Sequence, residues 1–545
     1  MPAKGEKIGM KNEKTRLFLR RGLILLLAVV FVLVCAGCMT ETPDEPTGET
    51  TEAETTVPET TAVVDATEPA GTDEGENPLR MMRGATVALS GPVGLRFQGV
   101  VDKEYFNALK AAYGDAVKVG MLFTATENLT ANSLDFTVEA LDACDAITGK
   151  KYERIEIAAE PTESETFFVN GTLTGIEKAD YGRSYSVVLF VEVAGKILRY
   201  SSYAATVNVA TFSEVAETAL LDLSDTKTGK YRNEFAVTPT ITKYSPYTPA
   251  QRETLETIAY PDAITVMSYN IAVYDSPSGG QGWEGRNPAK VSETILAQSP
   301  DIIGFQEVNQ KLLDGWDNTF NALATAGGYT RLTGRYTKDG FEKNEIFYKT
   351  DEFTQISEGT NSFKQVALDL EVPNTEKADN SLDKHDRVFH YVVLEQKSTG
   401  RKILFVSAHL HYGGTGSGHE ADDKVRRYEI KALLAWLERM SANYPDQIVV
   451  GDMNAHYLSG AGKTTMDLYK TGGFAITRDS AALKGDIGGT LATSNRTTRP
   501  EWIFDYVLTK GSIKTAFYTV VDNHIDTNNT YPADHIPVLA KICLQ

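Results

Sequence analysis

The stretch "IVVGDMNA", residues 448–455, decides how this chain is read. Three β-forming apolar residues run into a glycine, and Asp452 and Asn454 follow, two positions apart. A buried strand gains nothing from that ending. In α/β sheets, polar groups just beyond a strand's C-terminal end are where ligands and metals are held. The spacing therefore predicts a site at the end of a strand.

Working outward, residues 262–545 alternate strand and helix patterns. "AITVMSYNIAVY" reads as a strand, "NPAKVSETILAQ" as an amphipathic helix and "DIIGFQEV" as a strand. "KILFVSAHLHY", the helical "DDKVRRYEIKALLAWLERM", "QIVVGDMNA", "WIFDYVLTK" and "YPADHIPVLAKI" continue the series. Such alternation predicts one large layered α/β domain. Polar residues fall at its strand ends: Asn270, Glu307, His409, Asp452 with Asn454, Asp505, and Asp534 with His535. Singly, each has an ordinary structural reading as a turn cap, a solvated acid or a satisfied core histidine. Together they supply one hydrolytic site. Glu307 and Asn270 are hard oxygen donors suited to Mg2+, with Mn2+ as the alternative, and no Cys–His spacing favours zinc. His535, with its ring oriented by an acid such as Asp505, makes a general base for water.

The segments "SYNI", "PDIIGFQEV", "SAHLHY", "VVGDMNA", "IFDYVL" and "ADHIPV", in that order, resemble the endonuclease/exonuclease/phosphatase superfamily, the deoxyribonuclease-I-like fold. The resemblance covers about 262–545. It implies a four-layered α/β sandwich with the site at one end. It assigns Asn270 and Glu307 to the divalent metal, with Asp534 beside it. Asp452 and Asn454 hold the nucleophilic water and the scissile phosphate, or a second metal. His535 is the base, oriented by Asp505. His409 stabilises the pentacovalent phosphate or assists the leaving group. Glu345, in "NEIFYK", matches the acid that orients His409, and Arg387, in "DRVFHYVVLE", an arginine near the phosphate. His411 and His456 match nothing in the pattern and are expected to be peripheral.

The rest of the chain is accessory. Residues 1–37 carry seven Lys/Arg, two acids and an apolar run ending in Ala36-Gly37-Cys38. That is an export signal in shape. It is either a signal-anchor helix or, on its likeness to a lipobox with Cys35 at an unusual position, a bacterial lipoprotein signal acylated at Cys38. Residues 38–80 are Thr/Glu/Pro-rich with nothing to bury, which predicts a disordered, self-repelling tether. Residues 81–225 read as a β-rich domain with helices near "DKEYFNALKAAYG" and "SEVAETALLDL", loosely similar to a module of secreted bacterial proteins. It has no catalytic cluster, so its expected role is structural or adhesive, with its partner undefined. Residues 226–261 read as a connector. Cys144 and Cys543 alone lie beyond the signal, so no disulfide framework is expected.

Composition narrows the function. Residues 262–545 hold 29 Lys/Arg against 36 Asp/Glu. Tight non-specific nucleic-acid binding is therefore disfavoured, although a metal in an acidic cleft would still draw phosphates. Three readings follow for a monomer expected on the outer face of the membrane, lipid-anchored or shed. The first is a nuclease, towards which "GDMNA" tilts through its likeness to the nuclease-type "GDFNA". Asn309 stands against minor-groove DNA binding, since an arginine is expected after "QEV". The second is a phosphodiesterase acting on lipid or inositol head groups. The third is a catalytically silent binding protein, against which the intact acids and histidines argue. The loop "GGTGSGHEADD", 413–423, is either a specificity element or a mobile connector.

Overall fold

Two β-sheets that pack face to face carry the site, and the sequence dictates both. The computed structural model describes residues 77–158, 167–222, 247–271, 288–309, 313–337, 342–378, 386–413, 420–458, 460–492, 499–523 and 531–545. All of these belong to one compact unit, Asp65–Gln545. The predicted signal 1–37, with Cys38 and most of the tether, lies outside the described residues.

In the C-terminal half, one sheet has seven strands, given next in spatial order and numbered along the whole chain. Its strands are Tyr329–Thr333 (β11), Glu342–Lys349 (β12), Ile302–Asn309 (β10), Ile264–Asn270 (β9), Val538–Leu544 (β21), Ile513–Val520 (β20) and Leu483–Lys484 (β18). The other has six strands, likewise given in spatial order. It comprises Phe353–Ser362 (β13), Val388–Gln396 (β14), Lys402–His409 (β15), Gln447–Asp452 (β16), Asp505–Lys510 (β19) and Ala475–Ile476 (β17). Val266, Ile302 and Ile346 of the first sheet meet Val392, Phe405 and Val450 of the second in a shared core. Each such side chain, fully buried, contributes about 1.5–3 kcal/mol. Gly304 marks how closely the sheets approach, because a Cβ there would stand 2.3 Å from Val450 Cγ2. The outer faces are closed by helices. Pro288–Gln298 and Leu313–Gly327 cover the first sheet through Val291, Ile295, Phe320 and Leu323. Glu420–Ser441 covers the second through Ile430, Leu433 and Trp436. Helix, sheet, sheet, helix is the expected four-layered α/β sandwich.

The N-terminal part is β-rich, as expected. A three-stranded sheet joins Leu79–Ala88, Gly94–Val101 and Phe167–Thr174. A second joins Glu153–Ile157, Val117–Ala125, Ser184–Val193 and Lys196–Tyr200. The helices expected here are Lys103–Tyr113 and Phe212–Asp222.

Two boundaries are corrected. Leu79 and Arg80 belong to the first strand, not to the tether. More substantially, the expected connector contains helix Pro249–Ala259. Its start is a capping box: Gln251 N–H donates to Thr248 Oγ1 (3.2 Å), and Thr248 N–H donates to Gln251 Oε1 (2.9 Å). Leu255, Ile258, Ala259 and Tyr260 enter the N-terminal domain's core, which also takes in Ala516 and Cys543 of the C-terminal half. Lys178–Asp262 (2.6 Å), Lys514–Glu217 (2.5 Å) and Lys541–Glu256 (3.0 Å) surround this seam.

Candidate active site

Strand register brings the predicted residues together. β9 and β10 run parallel with Asn270 opposite Gln306, which places Asn270 beside Glu307. β15 and β16 run parallel with His409 opposite Asp452, and antiparallel β19 sets Asp505 opposite Asp452. His535 lies just ahead of β21, which pairs antiparallel with β9 and so starts at the same end.

Local distortions aim the side chains. A bulge between Phe305 and Val308 goes with a left-handed Glu307 (φ 59°), so the strand turns its carboxylate towards Asn270. Gly451 has φ 151°, and a Cβ there would lie 1.8 Å from the Ala408 carbonyl oxygen. Only glycine lets β16 come that close to β15. Asn454 is left-handed (φ 47°), and its N–H donates to Asp452 Oδ1 (2.8 Å).

Asn270 Nδ2 donates to Glu307 Oε1 (3.1 Å) and to Asp452 Oδ2 (3.0 Å), bridging the two sheets. Two groups of ligand atoms result, each within 4.8 Å: Glu307, His409 and Asp452, then Asp452, Asp505 and His535. All are oxygen or imidazole donors, which suits a divalent cation. Asp505 Oδ1 and Asp534 Oδ1 are buried and find no hydrogen-bond partner in the protein. Buried carboxylate oxygens are rarely left so, and the site therefore fits a divalent metal. Asp534 neighbours His535 in the chain but is not in either ligand group.

The two histidines sit in opposite fields. His535 Nδ1 donates to Asp505 Oδ2 (2.8 Å), and Nε2 lies 3.6 Å from Asp452 Oδ2. Burial opposes charge on this ring, but Asp505, Asp452 and Asp534 outweigh it and hold its pKa well above the usual range. His409 is pushed down to about 4, by burial first and Arg387 second, so its ring is neutral. Asn454 Nδ2 donates to the Leu410 carbonyl (3.1 Å) and so turns its amine towards His409 Nε2 (3.0 Å). On the other side of the ring, Nδ1 lies 3.1 Å from Glu342 Oε1. Arg387 pairs with the same Glu342 carboxylate, and its Nη1 stands 2.7 Å from His409 Nδ1.

This corrects one assignment. The acid beside His409 is Glu342, not Glu345. Alternate residues of a strand face opposite sides, so β12 turns Glu342 and Asn344 towards the second sheet. Asn344 Nδ2 donates to the Val388 carbonyl there (2.9 Å). Glu345 points outward, accepting from Arg331 Nε (2.7 Å) and pairing with Lys343 (2.8 Å). Arg387 is buried behind His409. His411 and His456 have structural roles. His411 Nε2 lies 3.2 Å from Asp422 Oδ1, and His456 Nδ1 accepts from Ile503 N–H (3.1 Å). Residues 414–419 of the glycine-rich loop and the side chain of Asn309 lie outside the described residues.

A carboxylate–histidine centre at the strand ends of a two-sheet sandwich defines a hydrolase able to hold a divalent metal. The chain belongs, through residues 267–535, to the Endonuclease/Exonuclease/phosphatase family, whose model matches that span. It is similar to the CCR4-Not complex 3'-5'-exoribonuclease subunit Ccr4 of Yarrowia lipolytica, at 28% identity over 197 residues, 33% of this chain and 27% of that protein. The Saccharomyces cerevisiae counterpart is 25% identical over 336 residues, 51% of this chain and 38% of that protein. The chain thus spans well under half the length of these curated relatives. Among solved structures, it is similar to an endonuclease/exonuclease/phosphatase family protein of Bacteroides thetaiotaomicron (22% identity, TM-score 0.42, 52% of this chain and 99% of that one). A mannosyl-6-phosphatase of the same organism is 21% identical, with a TM-score of 0.39, covering 51% of this chain and 99% of that one.

Proposed function

We propose that this protein is a Mg2+-dependent phosphodiesterase of the nuclease type. The observation that carries the reading is His535, held by Asp505 and facing Asp452 across 3.6 Å. His535 Nε2 would take the proton of the attacking water once a cation bound among the neighbouring carboxylates offsets the field that otherwise keeps the ring protonated. The carboxylate behind Nδ1 favours the imidazolium that forms. Asp452 and Asn454 position the water and the phosphate, and neutral His409 stands on the phosphate side, located by Glu342 and Asn454. Glu307 and Asp452, which share a ligand group, would hold the cation with Asn270 beside them, and it would supply charge neutralisation for the phosphoryl oxygens. The nuclease choice over a phosphomonoesterase or lipid hydrolase is supported by the exoribonuclease names of the relatives above. The basic, apolar amino terminus ending at Cys38 supports an exported, lipid-anchored protein meeting its substrate outside the cell.

The test is hydrolysis of RNA, DNA and sphingomyelin by the full chain in Mg2+, with His535→Ala beside it. Loss of the base lowers the rate at least ~10²-fold. Equal activity in wild type and variant refutes the assignment of the base. Cleavage of lipid alone refutes the nuclease reading.

A further inference from the structure

Three of the large apolar side chains that the fold leaves in solvent gather at the site end. Tyr412 is 51% exposed, Leu458 49% and Trp502 52%. Tyr412 lies three residues beyond His409, Leu458 six beyond Asp452, and Trp502 three before Asp505. Because His409, Asp452 and Asp505 stand opposite one another in register, the three loops leave the sheet side by side. They are also tied together. Asn454 Nδ2 binds the Leu410 carbonyl (3.1 Å), Ile503 N–H binds His456 Nδ1 (3.1 Å) and Tyr457 N–H binds the Tyr506 hydroxyl (3.2 Å). The Trp502 carbonyl accepts from Thr490 N–H (2.7 Å), so the indole stands out from a pinned backbone.

Single exposed apolar residues are ordinary, but several around one polar site mark a binding surface. Tyr412 adds a specific feature. The Arg387 guanidinium lies 5.6 Å from its ring centre, while Arg387 also holds Glu342 and touches His409. The ring is thus connected to the phosphate-side histidine through one rigid cation. An excess of acids in 262–545 leaves no broad basic surface to grip a duplex backbone.

We propose that Tyr412 and Trp502 form a stacking platform for the unpaired bases flanking the scissile phosphate, making single-stranded nucleic acid the substrate class. This rests on the nuclease reading above. Unpaired bases expose π-faces that aromatic rings bind without sequence preference, whereas paired bases in a duplex do not.

The experiment uses the full chain with Tyr412→Ala, Tyr412→Phe and Trp502→Ala. The substrates are a single-stranded RNA, the same RNA in a duplex, and a single strand whose sugars lack bases at the cleavage end. Each alanine variant lowers kcat/KM on the base-bearing strand about 5- to 150-fold, chiefly through KM. Tyr412→Phe, which keeps the ring, loses far less than Tyr412→Ala, and the losses of both alanine variants shrink on the abasic strand, which offers no base to stack. Binding of a 2-aminopurine oligonucleotide in chelator, where nothing turns over, quenches its fluorescence in wild type and not in the alanine variants. Cleavage of RNA without quenching, or equal losses on base-bearing and abasic strands, overturns the platform and leaves the nuclease reading standing. Quenching without cleavage of any nucleic acid in Mg2+ refutes the nuclease reading and retains the platform. Absence of both overturns both.

Discussion

Glu429 offers a test of the scaffold behind His409. It lies on helix Glu420–Ser441, 2% exposed, and its Oε2 accepts from His411 N–H (2.7 Å), two residues beyond His409. Burial drives its pKa from 4.5 up to about 7, although the His411 N–H, Arg387 and Arg426 favour the charged form. A carboxyl whose folded pKa is raised contributes its full stability below the unfolded value and loses it as pH rises through the folded one. The full loss is about 3 kcal/mol, most of it between pH 5 and 8. Glu429→Gln keeps an acceptor for His411 N–H and removes the titration. The assay is thermal unfolding of wild type and variant in steps from pH 5 to 8. The variant gains on wild type as pH rises, by several degrees in midpoint at pH 8. Parallel curves refute the argument, because they mean that Glu429 either stays charged in the fold or reaches water.

Four further outcomes follow, the first three from named contacts. Glu342→Gln lowers turnover by loosening His409. Glu345→Gln instead costs about 3–5 kcal/mol of stability, by leaving buried Lys343 without its carboxylate and Arg331 with Asp317 alone. Denaturant melts beside kinetics separate the two, and a Glu345 variant that melts normally but turns over slowly returns to Glu345 the role of the acid behind His409. Gly451→Ala forces a Cβ against the Ala408 carbonyl and destabilises by more than ~2 kcal/mol, read from the same melts; a wild-type midpoint contradicts the close approach. Removing divalent metal with a chelator abolishes hydrolysis, and Mg2+ restores it; full activity in excess chelator rules the metal out of the reaction.

Much of the site was legible because it sits at strand ends, where burial alone cannot account for Asn270, Glu307, Asp452 or His535. Register then had little freedom, since a one-residue slip would turn every apolar side chain to the wrong face. Glu342 was missed for the converse reason. "FEKNEIFYK" offers two acids three apart, on opposite faces, and only the position of the second sheet says which face meets His409. The alternation Glu342, Asn344, Ile346 against Lys343, Glu345, Phe347 limited the choice to two faces but could not make it. Helix Pro249–Ala259 did announce itself. Thr248-Pro249-Ala250-Gln251 combines a capping box with proline at the first helical position. Its partners are remote in sequence, so that it closes a core across two domains was beyond local pattern.

That shared core changes what a domain boundary means in this protein. Cys543 is a free thiol, 7% exposed, in the same cluster as Tyr260 and Ala516. Burial lifts its pKa to about 12, so in the intact chain it is a thiol and not the reactive thiolate. Cutting before residue 262 would not detach a module at a hinge but strip one wall from a packed interior. Cys543 would then meet solvent, and its alkylation rate would serve as a built-in clock for how often the two halves part.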